Sequence, residues 1–152
     1  MNQPILSLQL LTEVPMNSKT VLICDHNKDM ITILRILFKR WGINVDGVRS
    51  GPEALVYLRE HPETAAVIVE LTMPVMNGSE FLQIKSNDSL ISKVPVLILS
   101  GATNIEEVAI EFQIKDFMEK AGSNDYFFEI LLDKLRGKIE EETWMQAYNK
   151  VA

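Results

Sequence analysis

The chain has 152 residues, of which 47% are apolar and 24% are charged, and its formal net charge is −6. This length suits one domain with short extensions, and the composition excludes a disordered chain. The acidic balance argues against nucleic acid or anionic membrane partners, because there is no cationic excess to displace counterions. No apolar run is long enough for a transmembrane helix and no secretory signal is evident, so we expect a cytoplasmic protein.

Apolar runs predict strands at 20–24, 65–69 and 94–99, alternation of apolar and polar residues predicts a half-buried edge strand at 43–48, and a short fifth strand is predicted at 115–119. Each run precedes a segment with helical spacing of apolar residues, and these helical stripes begin at Met30, Ala54, Phe81, Ile105 and Phe127. Gly42 ends the first helix, with Asn27 or Asp29 capping its start. The last helix is capped by Ser123, Asn124 or Asp125 and runs to Ile139.

Three segments follow from this pattern: a flexible arm at 1–18, a domain at 19–136 and a helical extension or tail at 137–152. The arm has few periodic signals, although a short helix from Leu6 to Leu11 is an alternative. The tail carries Trp144, Met145 and Tyr148, which could serve as contacts for a partner.

Alternation of strands and helices predicts a parallel sheet with helices on both faces. Five units are too few for an eight-stranded barrel, which needs roughly 250 residues. The remaining choice is an open, doubly wound α/β sheet of order 2-1-3-4-5, with its switch point between strands 1 and 3. The carboxyl ends of neighbouring strands would then bring together five polar residues: Asp25, His26, Glu70, Ser100 and Lys120.

These strand ends, with Met73-Pro74 and Asn77-Gly78 after Glu70, resemble the receiver domain of two-component response regulators. The resemblance runs from about residue 18 to residue 135 and implies the flavodoxin-like (βα)₅ fold. The family has an acidic pair after strand 1, a phospho-accepting Asp after strand 3, a Ser or Thr after strand 4 and Lys-Pro after strand 5.

The resemblance assigns a role to each matching position. Glu70 stands at the phosphoacceptor position, and Lys120 stands where the family's lysine contacts the phosphoryl oxygens. Asp25, His26 and the carbonyl of Thr72 fall on the magnesium positions. The switch positions, where a hydroxyl and an aromatic ring respond to the phosphoryl group, are Ser100 and Phe117.

Two departures from the family lie at the centre of this chemistry, while a third, Ala121 for proline, matters less. Glu70 is one methylene longer than Asp, about 1.5 Å of extra bond length, and in-line phosphoryl transfer tolerates such shifts poorly. The longer carboxylate could instead be held by Lys120 and Ser100, as a partial mimic of the phosphorylated state. His26 removes a hard oxygen ligand, so we expect no cofactor, or Mg²⁺ bound only weakly. A transition-metal site and a pH-sensitive histidine are the alternatives for His26.

These residues predict a pseudo-receiver, a signalling module of a two-component or phosphorelay system that is not an enzyme and acts by protein–protein interaction. Its partner would be a sensor kinase, a scaffold, an output protein or a second copy in a homodimer. The alternatives are a phosphorylatable stand-alone receiver that takes its phosphoryl group from a histidine kinase, and a structural domain with a vestigial site. Simpler roles also stay open for Asp25 as a helix cap or a partner of Lys120, for Ser100 as a strand-end hydrogen bonder and for Phe117 as core.

Overall fold

The computed structural model describes residues 20–120 and 126–138. Strands and helices alternate through them: β1 (Thr20–Cys24), α1 (Lys28–Arg40), β2 (Asn44–Val48), α2 (Gly51–Glu60), β3 (Ala66–Val69), α3 (Gly78–Asn87), β4 (Val96–Ser100), α4 (Ile105–Glu111), β5 (Phe117–Glu119) and α5 (Phe127–Arg136). Among the described residues, no helix is long and apolar enough to cross a membrane.

The strands form one parallel sheet of order β2-β1-β3-β4-β5, which confirms the predicted doubly wound α/β fold. β1 lies between β2 and β3, so that Val21 pairs with both Val45 and Ala66. The central strands β3 and β4 are buried along their whole length, as expected for strands covered by helices on both faces.

The core consists of two apolar layers, one on each face of the sheet. Helices α2, α3 and α4 cover one face, where Val67 and Val69 of β3 point. Helices α1 and α5 cover the other face, where Ala66 and Ile68 of the same strand point. Successive side chains of β3 therefore pack alternately into the two layers. Every residue of the strand is buried, which explains its uninterrupted apolar sequence.

Side chains cap the first three helices. The Asn27 side chain accepts hydrogen bonds from the backbone of Asp29 (3.0 Å) and Met30 (3.4 Å), so Asn27 is the cap of α1. Ser50 caps α2 through Glu53 N–H at 3.3 Å, and Asn77 caps α3 through Glu80 N–H at 2.9 Å. These bonds satisfy backbone donors that the first helical turn leaves open, and they fix where each helix begins.

The predicted element ends shift for local reasons. β4 begins at Val96 instead of Val94, because Pro95 has no N–H to donate to the sheet and Val94 N–H bonds to Ile91 in a turn. β5 begins at Phe117 instead of Lys115, since Ile114 N–H bonds back to Ala109 at the end of α4. α5 ends at Arg136. The predicted arm, the caps at 123–125, Ile139 and most of the tail lie outside the described residues.

Gly42 ends α1 in a conformation that favours glycine, with φ of 74°. Gly42 N–H bonds to Lys39 O and Ile43 N–H to Phe38 O, which is the Schellman arrangement. We expect Gly42→Ala to lower the free energy of unfolding by about 1 kcal/mol, because a Cβ is disfavoured at this φ. Urea unfolding followed by circular dichroism measures the change.

Gly137→Ala is the matched control for that substitution. Gly137 lies at φ −64°, and a Cβ there would meet no atom closer than Lys134 O at 3.6 Å. The control should therefore be neutral or slightly stabilising. Equal losses in both variants would contradict the role given to Gly42.

Candidate functional site

Backbone hydrogen bonds of the sheet bring four strand ends together at its carboxyl edge. Glu70 N–H donates to Cys24 O at 3.0 Å, and Lys120 N–H donates to Ser100 O at 2.9 Å. Asp25 N–H donates to Val48 O at 3.0 Å, which ties the end of β1 to β2. The side chains of Asp25, Glu70, Ser100 and Lys120 therefore project from fixed points around one small site.

Lys120 contacts both carboxylates of this site. Its Nζ lies 2.6 Å from Asp25 Oδ2 and 3.1 Å from Glu70 Oε1. The side chains of Asp25, Glu70 and Lys120 are only 4%, 5% and 16% exposed, respectively. One ammonium group thus neutralises part of the charge of two buried carboxylates, and the three side chains form a single electrostatic unit.

Glu70 is held by more than its ion pair. Its Oε2 accepts the N–H of Leu71 at 2.7 Å, and Oε1 lies 3.5 Å from the N–H of Gly101. Burial raises the pKa of Glu70, but the hydrogen bonds from Ser100 and Lys120, the charge of Lys120 and the Gly101 N–H outweigh it. The pKa of this carboxyl therefore lies below its ordinary value of 4.5, and Glu70 is ionised at neutral pH.

Ser100 connects the loops that follow β3 and β4. Its Oγ accepts the N–H of Ala102 at 3.1 Å and faces the N–H of Leu71 at 3.4 Å. The same hydroxyl contributes a hydrogen bond to Glu70. Ser100 is fully buried, so its role as a strand-end hydrogen bonder and its position beside the acidic group coexist.

The loop after Glu70 turns tightly around Gly78. Gly78 N–H donates to Leu71 O at 2.8 Å. A Cβ on Gly78 would lie 2.6 Å from Leu71 Cα and 2.9 Å from Glu70 O, closer than side-chain carbons approach backbone. The Asn77-Gly78 pair therefore serves two purposes, capping α3 and leaving room for the backbone that carries Glu70.

The magnesium positions implied by the resemblance do not assemble an oxygen-rich cluster. Asp25 already uses both carboxylate oxygens, since Oδ1 accepts Asn27 N–H at 2.9 Å and Oδ2 contacts Lys120. His26 is half-exposed with Nδ1 3.7 Å from Asp25 Oδ1, and Thr72 is exposed. Within residues 20–120 and 126–138 no three His, Cys, Asp or Glu side chains are placed to hold a metal. The weak or absent metal site stays a prediction.

Three contacts at the site were not anticipated from the sequence. Two are the backbone N–H groups of Leu71 and Gly101, which contact the Glu70 carboxylate. The third is Arg49, whose guanidinium donates to the carbonyl of His26 at 3.1 Å. Arg49 directly follows β2, and its place at the carboxyl edge follows from the strand order, which was the available signal.

Phe117 lies beside the site on β5 but not in the ionic group. It is partly buried and packs against the apolar layer under α2, α3 and α4. Both sequence interpretations of this ring, plain core and moving switch, stay open.

The fold and the strand-end residues together define a receiver-type α/β domain. The family model of the response regulator receiver domain matches residues 21–131, so the chain belongs to that family. It is a response-regulator signalling module of the two-component type.

Several relatives support this assignment. The transcriptional regulatory protein ZraR of Salmonella typhimurium is 31% identical over 122 residues, which are 80% of this chain and 25% of ZraR. The chemotaxis protein CheV1 of Helicobacter pylori is 25% identical over 126 residues, 78% of this chain and 38% of CheV1. The chain thus spans a quarter to about two fifths of the length of these relatives.

Solved structures show the same fold. The N-terminal domain of a response regulator receiver protein from Methanoculleus marisnigri is 25% identical, with a TM-score of 0.63 over 75% of this chain and 94% of that one. The chemotaxis protein CheY4 of Vibrio cholerae is 24% identical, with a TM-score of 0.68 over 80% of this chain and 98% of CheY4.

Proposed function

We propose that this receiver domain is a pseudo-receiver, which signals through protein–protein contacts and does not accept a phosphoryl group. The observation that carries the proposal is the carboxylate of Glu70, buried and 3.1 Å from Lys120 Nζ. In the family this lysine contacts the oxygens of the transferred phosphoryl group. Here the carboxylate of the protein's own Glu70 contacts that lysine.

The contacts of Glu70 support a built-in, partial mimic of the phosphorylated state. Its oxygens accept hydrogen bonds from the Lys120 ammonium, the Ser100 hydroxyl and the N–H groups of Leu71 and Gly101. Such donors are the kind that would hold phosphoryl oxygens. The mimic is incomplete, because a carboxylate carries one negative charge and an acyl phosphate carries more.

Protein contacts are the proposed route of output. The surface formed by α4, β5 and α5 is the candidate contact face, and it exposes Ile110, Phe128 and Ile130. The partner would be a sensor kinase, a scaffold, an output protein or a second copy of the chain. We propose a cytoplasmic location, no catalytic activity of its own and no nucleic acid ligand, in keeping with the net charge of −6.

Acetyl phosphate tests the proposal directly. The full chain is incubated with acetyl phosphate and Mg²⁺ and then weighed intact by mass spectrometry. We expect no gain of a phosphoryl group, because Glu70 is one methylene longer than aspartate, in-line transfer tolerates such a shift poorly, and the carboxylate is engaged with Lys120.

A phosphoryl adduct mapped to Glu70 by fragmentation would overturn the pseudo-receiver and support the phosphorylatable receiver instead. An adduct on Ser100 or His26 would have the same consequence. A typical receiver with aspartate at the acceptor position, treated in parallel, shows that the reagent is active.

A further inference from the structure

A cavity of about 310 Å³ opens at the edge of the sheet opposite the Glu70 site. Its wall includes residues 94–96, which lead into β4, whereas Ser100 of the acidic site ends that strand. The end of α3 and the segment that follows α4 flank it, and its size falls in the range of small-molecule sites.

The charged side chains that line the cavity are all lysines. Lys85, Lys93, Lys115 and Lys138 all contribute to its wall, and none of its described lining residues is Asp or Glu. This concentration of positive charge occurs in a chain whose net charge is −6. Lys138 Nζ is paired with Asp116 Oδ2 at 2.9 Å, so the unneutralised charge comes from the other three lysines.

Lys85 is the unusual member of this group, because its side chain belongs to the core. It is 3% exposed, and its ammonium donates to Ser92 O at 3.1 Å. Among the described residues no carboxylate lies within ion-pair distance of Lys85. Burial lowers the pKa of Lys85 to about 8, so the group is still mostly protonated at neutral pH.

A buried ammonium with one neutral acceptor is costly, since it offers three donors and has lost most of its hydration. An anion in the cavity would supply the missing acceptors and the opposite charge. A purely structural role is the rival interpretation, in which Lys85 only anchors the segment before β4 through Ser92. The two interpretations differ in whether an anion binds.

We propose that this cavity is a binding site for a small polyanion carrying phosphate or carboxylate groups. Lys85 would be its buried contact, with Lys93 and Lys115 as exposed contacts. The site is separate from the Glu70 group and does not depend on the pseudo-receiver proposal. A bound anion would contact the end of α3 and the segment that joins α4 to β5, since both form its walls.

The test is an NMR titration of the isotope-labelled full chain with inorganic pyrophosphate at low ionic strength, with citrate as a second arm. We expect saturable shifts of amide signals at 92–94, 96 and 112–115. Binding of pyrophosphate alone identifies phosphate as the preferred chemistry, and binding of citrate alone identifies carboxylate. Absence of saturable shifts with both probes would overturn the proposal.

Substitutions assign the binding to the cavity. Lys85→Met keeps the length of the side chain and removes its charge, and should weaken binding about tenfold or more. Lys93 and Lys115 are exposed, so replacing either with glutamine does not disturb the core. Lys93→Gln and Lys115→Gln should each weaken binding roughly fivefold. They keep the proposal testable if Lys85→Met fails to fold.

Lys39→Gln is the matched control, because Lys39 is an exposed lysine in the last turn of α1, outside the cavity. It should leave the affinity unchanged. An equal loss in Lys39→Gln and the cavity variants would show nonspecific charge attraction and overturn the site. Wild-type affinity in a folded Lys85→Met variant would overturn the role of the buried ammonium.

Discussion

Replacing Lys120 with methionine should lower the free energy of unfolding by about 3 kcal/mol at neutral pH. The substitution leaves Asp25 and Glu70 buried, close to each other and without their shared cation. Breaking a buried ion pair from one side is far more costly than replacing the whole group, because uncompensated charge remains. Urea unfolding of wild type and variant at pH 7 measures the difference.

The pH dependence provides the internal control. In wild type the pKa of Glu70 is lowered, so its contribution to stability is present above pH 4.5 and is lost as the pH falls through the folded-state pKa. In Lys120→Met, burial is no longer opposed by the ammonium and should raise the pKa of Glu70 above its unfolded value. The variant's deficit should therefore shrink as the pH falls below about 5.

Adding Glu70→Gln to Lys120→Met should recover part of the lost stability, because it removes one of the two stranded charges. A Lys120→Met variant that costs less than about 1 kcal/mol, with no pH dependence, would contradict the ionic unit. The Glu70 carboxylate would then not be held as the geometry indicates.

The double variant His26→Asp with Glu70→Asp should gain phosphorylation by acetyl phosphate that wild type lacks. Aspartate shortens the acceptor by one bond, about 1.5 Å, which withdraws the carboxylate from Lys120 and leaves room beside the lysine for phosphoryl oxygens. Aspartate at position 26 adds the missing oxygen ligand beside Asp25. We expect labelling at a rate at least about a hundredfold above the detection limit within which wild type stays unlabelled, measured by intact mass over time with Mg²⁺ present.

His26→Asp alone and His26→Asp with Glu70→Gln are the controls for this gain. Neither should be labelled, because the first retains the overlong acceptor and the second has no nucleophilic carboxylate at position 70. Labelling of the second control would place the reaction elsewhere in the chain. Equal rates in wild type and the double variant would show that the length of the acceptor does not limit the reaction.

The fold was predictable because its signals are local and repeated. The apolar runs at 20–24 and 65–69 are too short for free-standing helices and suit buried strands, and Asn27 or Asp29 indicates where the first helix begins. The element ends were less predictable where one backbone group decides them. Pro95 delays β4, and the hydrogen bond from Ile114 to Ala109 delays β5.

The residues of the site were predictable from topology, but their contacts were not. Strand order placed Asp25, Glu70 and Lys120 at one edge, yet no pattern indicates that one ammonium contacts both carboxylates. Val75 shows the same limit, since nothing in its sequence context indicates φ of 70° or a side chain that is 93% exposed. The Lys120 contacts join residues that lie far apart in the chain, whereas Val75 lies at the centre of a three-residue turn closed by Met76 N–H and Pro74 O at 2.8 Å.

The burial of Lys85 follows from its place in the helical pattern of α3. This lysine lies four residues after Phe81 and three after Leu82, so the helical period places it on the buried face of α3. A lysine on an apolar helical face either extends its ammonium to the surface or is buried with a partner. The structure shows the second arrangement, with Ser92 O as that partner.

The acidic site is held in place by main-chain hydrogen bonds and not by the groups that give it its chemistry. Asp25, Glu70 and Lys120 each donate a backbone N–H to a neighbouring strand, and exchanging a side chain leaves those bonds intact. The frame should therefore tolerate different acceptors and counterions at the same three positions. Variants of this chain that can and cannot be phosphorylated could therefore be compared on one unchanged backbone.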